Sequence, residues 1–135
     1  MAQIMTQLSV HMENRPGALA ELTEALVDSG VNVMAISFPD TGEFGTVRVL
    51  TDDVDEARAV LQDGGFAHAA VDVLAVHLPH RPGALAKTAR LLADGHVVIR
   101  YAYATIPSGE DSALCILCVD DIHKAKKVLD KGLSA

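Results

Sequence analysis

Three groups of residues have types and spacing that could do chemistry. His77 and His80 form an H-x-x-H, Cys115 and Cys118 a C-x-x-C, and Asp52-Asp53 and Asp120-Asp121 two acid pairs. The histidines could ligate a metal, but His77 lies in an alternating, strand-like stretch and His80 in the turn after it. No third ligand is near in sequence, whereas zinc sites take three or four. The cysteines could exchange disulfides, but the apolar run 113–119 reads as a strand, which sends residues three apart to opposite faces. Two buried thiols in a reducing compartment are the better reading. The acid pairs could serve as general acid and base, yet each stands just before an apolar-periodic stretch, where helix capping accounts for it. No Ser-His or Cys-His grouping stands out. No metal, no cofactor and no catalytic residue is therefore expected.

A fourth group is more informative because it occurs twice. Arg15-Pro16-Gly17-Ala18-Leu19-Ala20 recurs unchanged at Arg81-Pro82-Gly83-Ala84-Leu85-Ala86, an offset of 66 that also matches Leu8, Val10, His11, Leu26, Asp28 and Val31 to Leu74, Val76, His77, Leu92, Asp94 and Val97. Later the offset becomes 68, carrying Asp52, Asp53, Ala57, Val60 and Leu61 onto Asp120, Asp121, Ala125, Val128 and Leu129. The two extra residues fall in a turn, where a duplication tolerates them. Glycine in the first turn of a helix costs about 1 kcal/mol relative to Ala, so Gly17 and Gly83 suggest either a close approach of something to the backbone or a tightly packed turn. The unpaired amides of a helix start carry positive partial charge and suit a carboxylate, such as that of an amino acid.

The elements that position these residues can be read from periodicity. Leu8, Val10 and Met12 alternate with Ser9 and His11, as a strand with one buried face does, and Leu74, Val76 and Leu78 repeat the pattern. Pro16 fits the first helical position, with Leu19, Leu22 and Leu26 on one face up to Gly30. Leu85, Ala89 and Leu92, ending at Gly95, are the counterparts. Residues 31–38, a turn at 39–42 and residues 46–50 make a hairpin, echoed by 97–106, 107–109 and 113–119. Asp52 or Asp53 caps a second helix with Val54, Ala57, Val60 and Leu61 on one face, copied by Ile122, Ala125, Val128 and Leu129. With a closing strand, each unit is an α+β, ferredoxin-like βαββαβ sandwich.

Only residues 66–78 separate the second and third helices. One long strand must then close the first sheet and open the second, and residues 2–6 are left to close the second sheet by symmetry. The expected organisation is two tandem repeats sharing long strands, residues 1–70 and 71–135, related by an intramolecular pseudo-twofold.

Composition sets the outer limits. Half of the 135 residues are apolar and 21% charged, which suits a packed globular protein. The net charge is -7, with no Trp and five Phe and Tyr in all, so the basic stripe and stacking aromatics that grip nucleic acid are missing. No run has the ~18 apolar residues of a membrane span and the first ten residues do not read as a signal peptide, so a cytoplasmic protein is expected. The charge is uneven. Residues 1–67 carry 11 acids against Arg15, Arg48 and Arg58, a balance of -8, and residues 68–135 carry a balance of +1, so the halves could attract each other.

The order strand, Asn14-Arg15-Pro16-Gly17-Ala18-Leu19, helix, then Gly30-Val31-Asn32-Val33 resembles the ACT domain, and the resemblance covers the chain twice. It implies ferredoxin-like units that bind a small amino acid at an interface between units, pair through their sheets as a homodimer, and regulate a partner enzyme without catalysing a reaction. It also implies that Asn14 and Asn32 make side-chain contacts to the ligand, beside Arg15, Pro16, Gly17, Ala18, Leu19 and Val33. The second copy, with His80, Arg81, Pro82, Gly83, Ala84, Leu85, Val98 and Ile99, departs from the pattern because His80 and Val98 stand where the asparagines do. One working site in the first copy is expected, with the second copy either structural or specific for another ligand lined by Arg100 and Tyr101. A pure assembly module and a small ferredoxin-like enzyme are the rival readings.

Overall fold

A computed structural model describes residues 2–39, 44–105 and 112–133. Residues 40–42 of the turn expected at 39–42, and the turn expected at 107–109, lie outside the described residues. The elements are β1 (Ala2–Glu13), α1 (Ala18–Asp28), β2 (Val33–Ser37), β3 (Phe44–Thr51), α2 (Val54–Asp63), β4 (His68–Pro79), α3 (Ala84–Asp94), β5 (Ile99–Thr105), β6 (Ser112–Val119) and α4 (Ile122–Leu133). They form two units of ferredoxin-like architecture, and both long strands are divided between them. The first unit is residues 6–71; the second is residues 72–133 together with residues 2–5.

In the first unit the strand order is β2-β3-β1-β4, with residues 68–71 of β4 at one edge and β2 at the other. β1 and β3 are antiparallel with Leu8 opposite Val49 and Val10 opposite Val47. These four side chains form one sheet face, on which Leu22 and Leu26 of α1 and Ala57 and Leu61 of α2 are fully buried. The alternate residue His11 points off the other face and is exposed. The Asp53 carboxylate caps α2 by accepting from the Glu56 amide at 3.1 Å.

In the second unit the order is β5-β6-β4-β1, the last strand being residues 2–5. Leu74 lies opposite Leu117 and Val76 opposite Cys115, and this face packs on Leu92, Ala125 and Leu129. Ala2 is buried in the same core, and its amide donates to Asp130 Oδ1 of α4 at 3.4 Å. Cys115 and Cys118 are buried free thiols. Burial pushes the Cys115 thiol above its ordinary range.

One expectation about α3 needs correction. Its buried face is Thr88 and Leu92, with Leu85 at 59% exposure and Ala89 exposed. Thr88 stands where α1 has Leu22, and it is buried without penalty because its hydroxyl donates to the Ala84 carbonyl at 3.1 Å. The helix ends at Asp94 with Gly95 as its C-cap, as expected. Gly95 keeps a negative φ, and the left-handed position that Gly30 fills in the first unit, at φ 75°, falls in the second on His96, at φ 59°.

Candidate functional site

The repeated R-P-G segment is a turn ahead of the helix rather than its first residues. The Arg15 carbonyl accepts from the Ala18 amide at 3.2 Å, and Gly17 between them has φ 86° and ψ -10°. This is a type II turn, which takes proline at its second position and needs a positive φ at its third. Arg81 to Ala84 repeats it at 3.4 Å, with Gly83 at φ 93°. Pro16 and Pro82 therefore precede their helices and do not occupy the first helical position. The glycines are there for their dihedral angle. A Cβ on either would meet no atom of the chain within 4 Å, so packing within the protein does not demand them.

The turn leaves the helix start open. Among the described residues no side-chain cap is formed at the N-cap positions of α1 and α3, which are Gly17 and Gly83. By contrast, Asp53 caps α2 and Asp121 Oδ1 accepts from the Lys124 amide of α4 at 3.2 Å. The first-turn amides of α1 and α3 keep their capacity to bind an anion.

Around the open start of α1 lies a concavity of about 380 Å³ lined by His11, Met12, Glu13, Arg15, Ala18, Glu21 and residues 64–67. Arg15 makes a bidentate pair with Glu21, at 2.8 and 3.2 Å, and its Nε is 3.5 Å from Glu13. The hydrogen bond and charge of Arg15 hold the Glu21 carboxyl below the usual carboxylate range. One guanidinium faces two carboxylates, so the rim is acidic while the helix amides behind it are positive. His11 Nδ1 is 3.3 Å from the Thr46 hydroxyl.

Asn14, Pro16 and Gly17 are exposed on the turn, and Leu19 packs against the core. Asn32 and Val33 do not line this concavity; they open β2. The Asn32 amide donates to Asp52 Oδ1 at 3.0 Å and its carbonyl accepts from the Asp52 amide at 3.2 Å. Val33 lies opposite Thr51, whose buried hydroxyl is the one buried side-chain polar atom without a partner among the described residues. The two recurrent acid pairs thus divide their labour, the first Asp gripping a strand start and the second capping a helix, and capping alone does not account for them.

In the second unit His80, Arg81, Ala84 and Leu85 line a concavity of about 210 Å³ with Leu78, Pro79, Ala104, Ala113 and Cys115. Val98 and Ile99 line neither this one nor its neighbour, an opening of about 240 Å³ bounded by His77, Leu78, Pro79, Arg81, Ala84, Lys87 and Leu133. Val98 is fixed by Asp120 as Asn32 is by Asp52, at 3.0 and 3.1 Å. Glu13, Glu21 and Lys87 escaped the sequence reading, and the first Asp of each pair, read there as a helix cap, holds a strand start instead. The signal for two of them was present, since Glu21 and Lys87 stand 66 residues apart with opposite charge.

Among the described residues no group of three His, Cys, Asp or Glu could hold a metal ion, and no helix is long and apolar enough to cross a membrane.

No curated protein matches the chain. Solved structures do. A protein of Bacteroides thetaiotaomicron is 32% identical, with a TM-score of 0.89 over 96% of this chain and 89% of that one. The regulatory subunit of aspartate kinase from Thermus thermophilus, ligand free, shares the fold at 16% identity, with a TM-score of 0.68 over 96% of this chain and 97% of that one. So does E. coli aspartokinase III in complex with lysine and aspartate, at 18% identity and a TM-score of 0.60, where this chain's 98% covers 31% of that one. The family model described as an ACT domain pair matches residues 3–134, and the chain belongs to the ACT domain family.

Proposed function

We propose that this ACT domain pair is a non-catalytic sensor that binds a free amino acid at the strand–helix turn of its first unit and regulates a partner enzyme. The observation that carries the reading is the contrast between helix starts: α2 and α4 are capped by Asp53 and Asp121, whereas α1 opens uncapped behind a type II turn. Its free amides suit an α-carboxylate, and the surplus of acid at Glu13 and Glu21 suits an α-ammonium, which together describe a zwitterion. Asn14 on the turn and Asn32 at the entry of β2, outside the lining of that concavity, are the side chains proposed to read the head group, beside Arg15, Pro16, Gly17, Ala18, Leu19 and Val33. The presence of lysine and aspartate in the structurally similar aspartokinase III supports an amino acid as the ligand class.

Homodimerisation belongs to the same proposal. Edge strand β2 exposes Met34, Ile36 and, just beyond it, Phe38, at 37 to 42%, an apolar row that a second copy would cover. A cytoplasmic setting accords with two unbridged thiols.

The test is a thermal-shift screen of the twenty amino acids. A ligand at ~100 times its dissociation constant stabilises the fold by about 2.7 kcal/mol. Asn14→Ala should lose the shift while keeping the oligomeric state. No shift with any amino acid would overturn the sensing part of the proposal and leave an assembly module.

A further inference from the structure

The duplication has kept the R-P-G turn and reversed the charges around it. In the first unit Arg15 is neutralised by Glu21 and Glu13. Their counterparts in the second unit are Lys87 and Pro79, so one acid has become a cation and the other has lost its charge. His77 differs as well. Its counterpart His11 lies opposite Thr46 and bonds its hydroxyl, whereas His77 lies opposite Leu114. Among the described residues the side chains of His77, Arg81 and Lys87 have no hydrogen bond or ion pair, and all three line the 240 Å³ opening. The uncapped start of α3 is beside them, with Ala84 in the same lining.

Two permanent cations gathered at one concavity repel each other and stay hydrated unless an anion comes between them. A guanidinium, an ammonium and an imidazole N–H together offer more donors than one carboxylate can use. The remaining lining, Leu78, Pro79, Ala84 and Leu133, is apolar and gives carbon atoms a surface to rest on. Liquid water takes about 30 Å³ per molecule, so the opening has room for several atoms beyond a single anionic group.

We propose that the concavity between Arg81, Lys87 and His77 is a binding site for a small dicarboxylate, one carboxylate held by the Arg81 fork and the other by Lys87. The site belongs to the second unit alone and does not depend on amino-acid binding in the first.

The experiment is a titration of the isotope-labelled full-length protein with succinate, followed by amide chemical shifts, in parallel with inorganic phosphate. Saturable shifts at residues 77–87 and at Leu133 are expected. Lys87→Glu supplies the carboxylate that Glu21 supplies in the first unit, so it should abolish succinate binding without lowering the melting temperature. Lys87→Gln should weaken binding by about tenfold or more, as the loss of one charge-assisted hydrogen bond does. Binding that survives Lys87→Glu would overturn the proposal, as would phosphate binding as tightly as succinate. Succinate shifts confined to residues 11–33 would also overturn it while leaving the first-unit site standing. Succinate binding at 77–87 in a protein that binds no amino acid would support it and sink the zwitterion site instead.

Discussion

Asn32 and Asp52 hold each other through two hydrogen bonds, Asn32 N–H to Asp52 Oδ1 at 3.0 Å and Asp52 N–H to the Asn32 carbonyl at 3.2 Å. The pair ties the entry of β2 to the exit of β3, and Val98 with Asp120 repeats it. Whatever the Asn32 side chain does, its backbone is placed by Asp52 and not by Asn32 itself. A hydrogen bond to a charged group contributes about 1.5–3 kcal/mol when removed, and solvent at this exposed site lowers that to about 1–2 kcal/mol. Asp52→Ala should therefore lower stability to urea by that amount, against about 1 kcal/mol for the helix cap lost in Asp53→Ala. It should also weaken amino-acid binding, which Asp53→Ala should not. Equal binding by both variants would show that the β2 entry plays no part in the site.

The repeats, the order of elements and the sharing of long strands were legible because each rests on local pattern, period two against period 3.6 and a duplicated register. The helix start was not. Proline and glycine before an apolar face read equally as a first turn or as a type II turn, and only the 86° φ of Gly17 decides between them. The site's charge balance was hidden for a different reason. Glu21 and Lys87 sit on helix surfaces where composition is usually uninformative, and their importance appears only once Arg15 is seen to pair with Glu21 and Arg81 and Lys87 to line one opening.

The left-handed position at His96 is a mismatch that a single change should relieve. A non-glycine residue at φ 59° is held in the left-handed region at a cost of about 1–2 kcal/mol, less for residues that tolerate it. The first unit uses Gly30 at the corresponding point. His96→Gly should raise stability by about 0.5–1 kcal/mol, offset in part by the greater freedom of glycine in the unfolded chain. A lowered urea midpoint would mean that His96 makes a stabilising contact worth more than the strain.

Thr51 presents the opposite case, a buried polar atom without a partner among the described residues. Its hydroxyl is buried beside Val33, and the second unit has Val119 at the matching position, opposite Ile99. Thr51→Val is nearly isosteric and removes an unsatisfied group, so it should stabilise by about 1–2 kcal/mol. If ligand binding reaches the β2 entry, the same variant should bind amino acid less tightly. Stabilisation with unchanged affinity would place the hydroxyl outside the site.

Acid should loosen the first unit through Glu21. Arg15 depresses the folded-state pKa of Glu21, first by hydrogen bonding and then by charge. A carboxyl shifted down contributes stability above its unfolded pKa and loses it as the pH falls through the lower folded value. The contribution should be present at neutral pH and disappear below the ordinary carboxylate range. Glu21→Gln should then be less stable than the parent at pH 7 and approach it at low pH, with high salt narrowing the difference because the pair is exposed. A gap that stays constant with pH would assign the effect to packing.

The division of β1 between units makes its first residues structural for a part of the chain more than sixty residues away. Ala2 is buried among Leu74, Leu117 and Leu129, Ile4 packs against the same cluster, and the Ala2 amide reaches Asp130. Deleting residues 1–5 removes an edge strand, and with it backbone pairing and an apolar contact to α4. The loss should be at least about 2 kcal/mol, the lower end for emptying one large apolar position from a core. Hydrogen exchange should locate it: faster exchange in residues 72–79 and 122–133, with residues 44–63 protected as before. Exchange rates unchanged in α4 would show that residues 2–5 are not part of the second unit's fold. A uniform rise across both units would show that the two unfold as one, since a strand lost from a cooperative whole lowers protection everywhere.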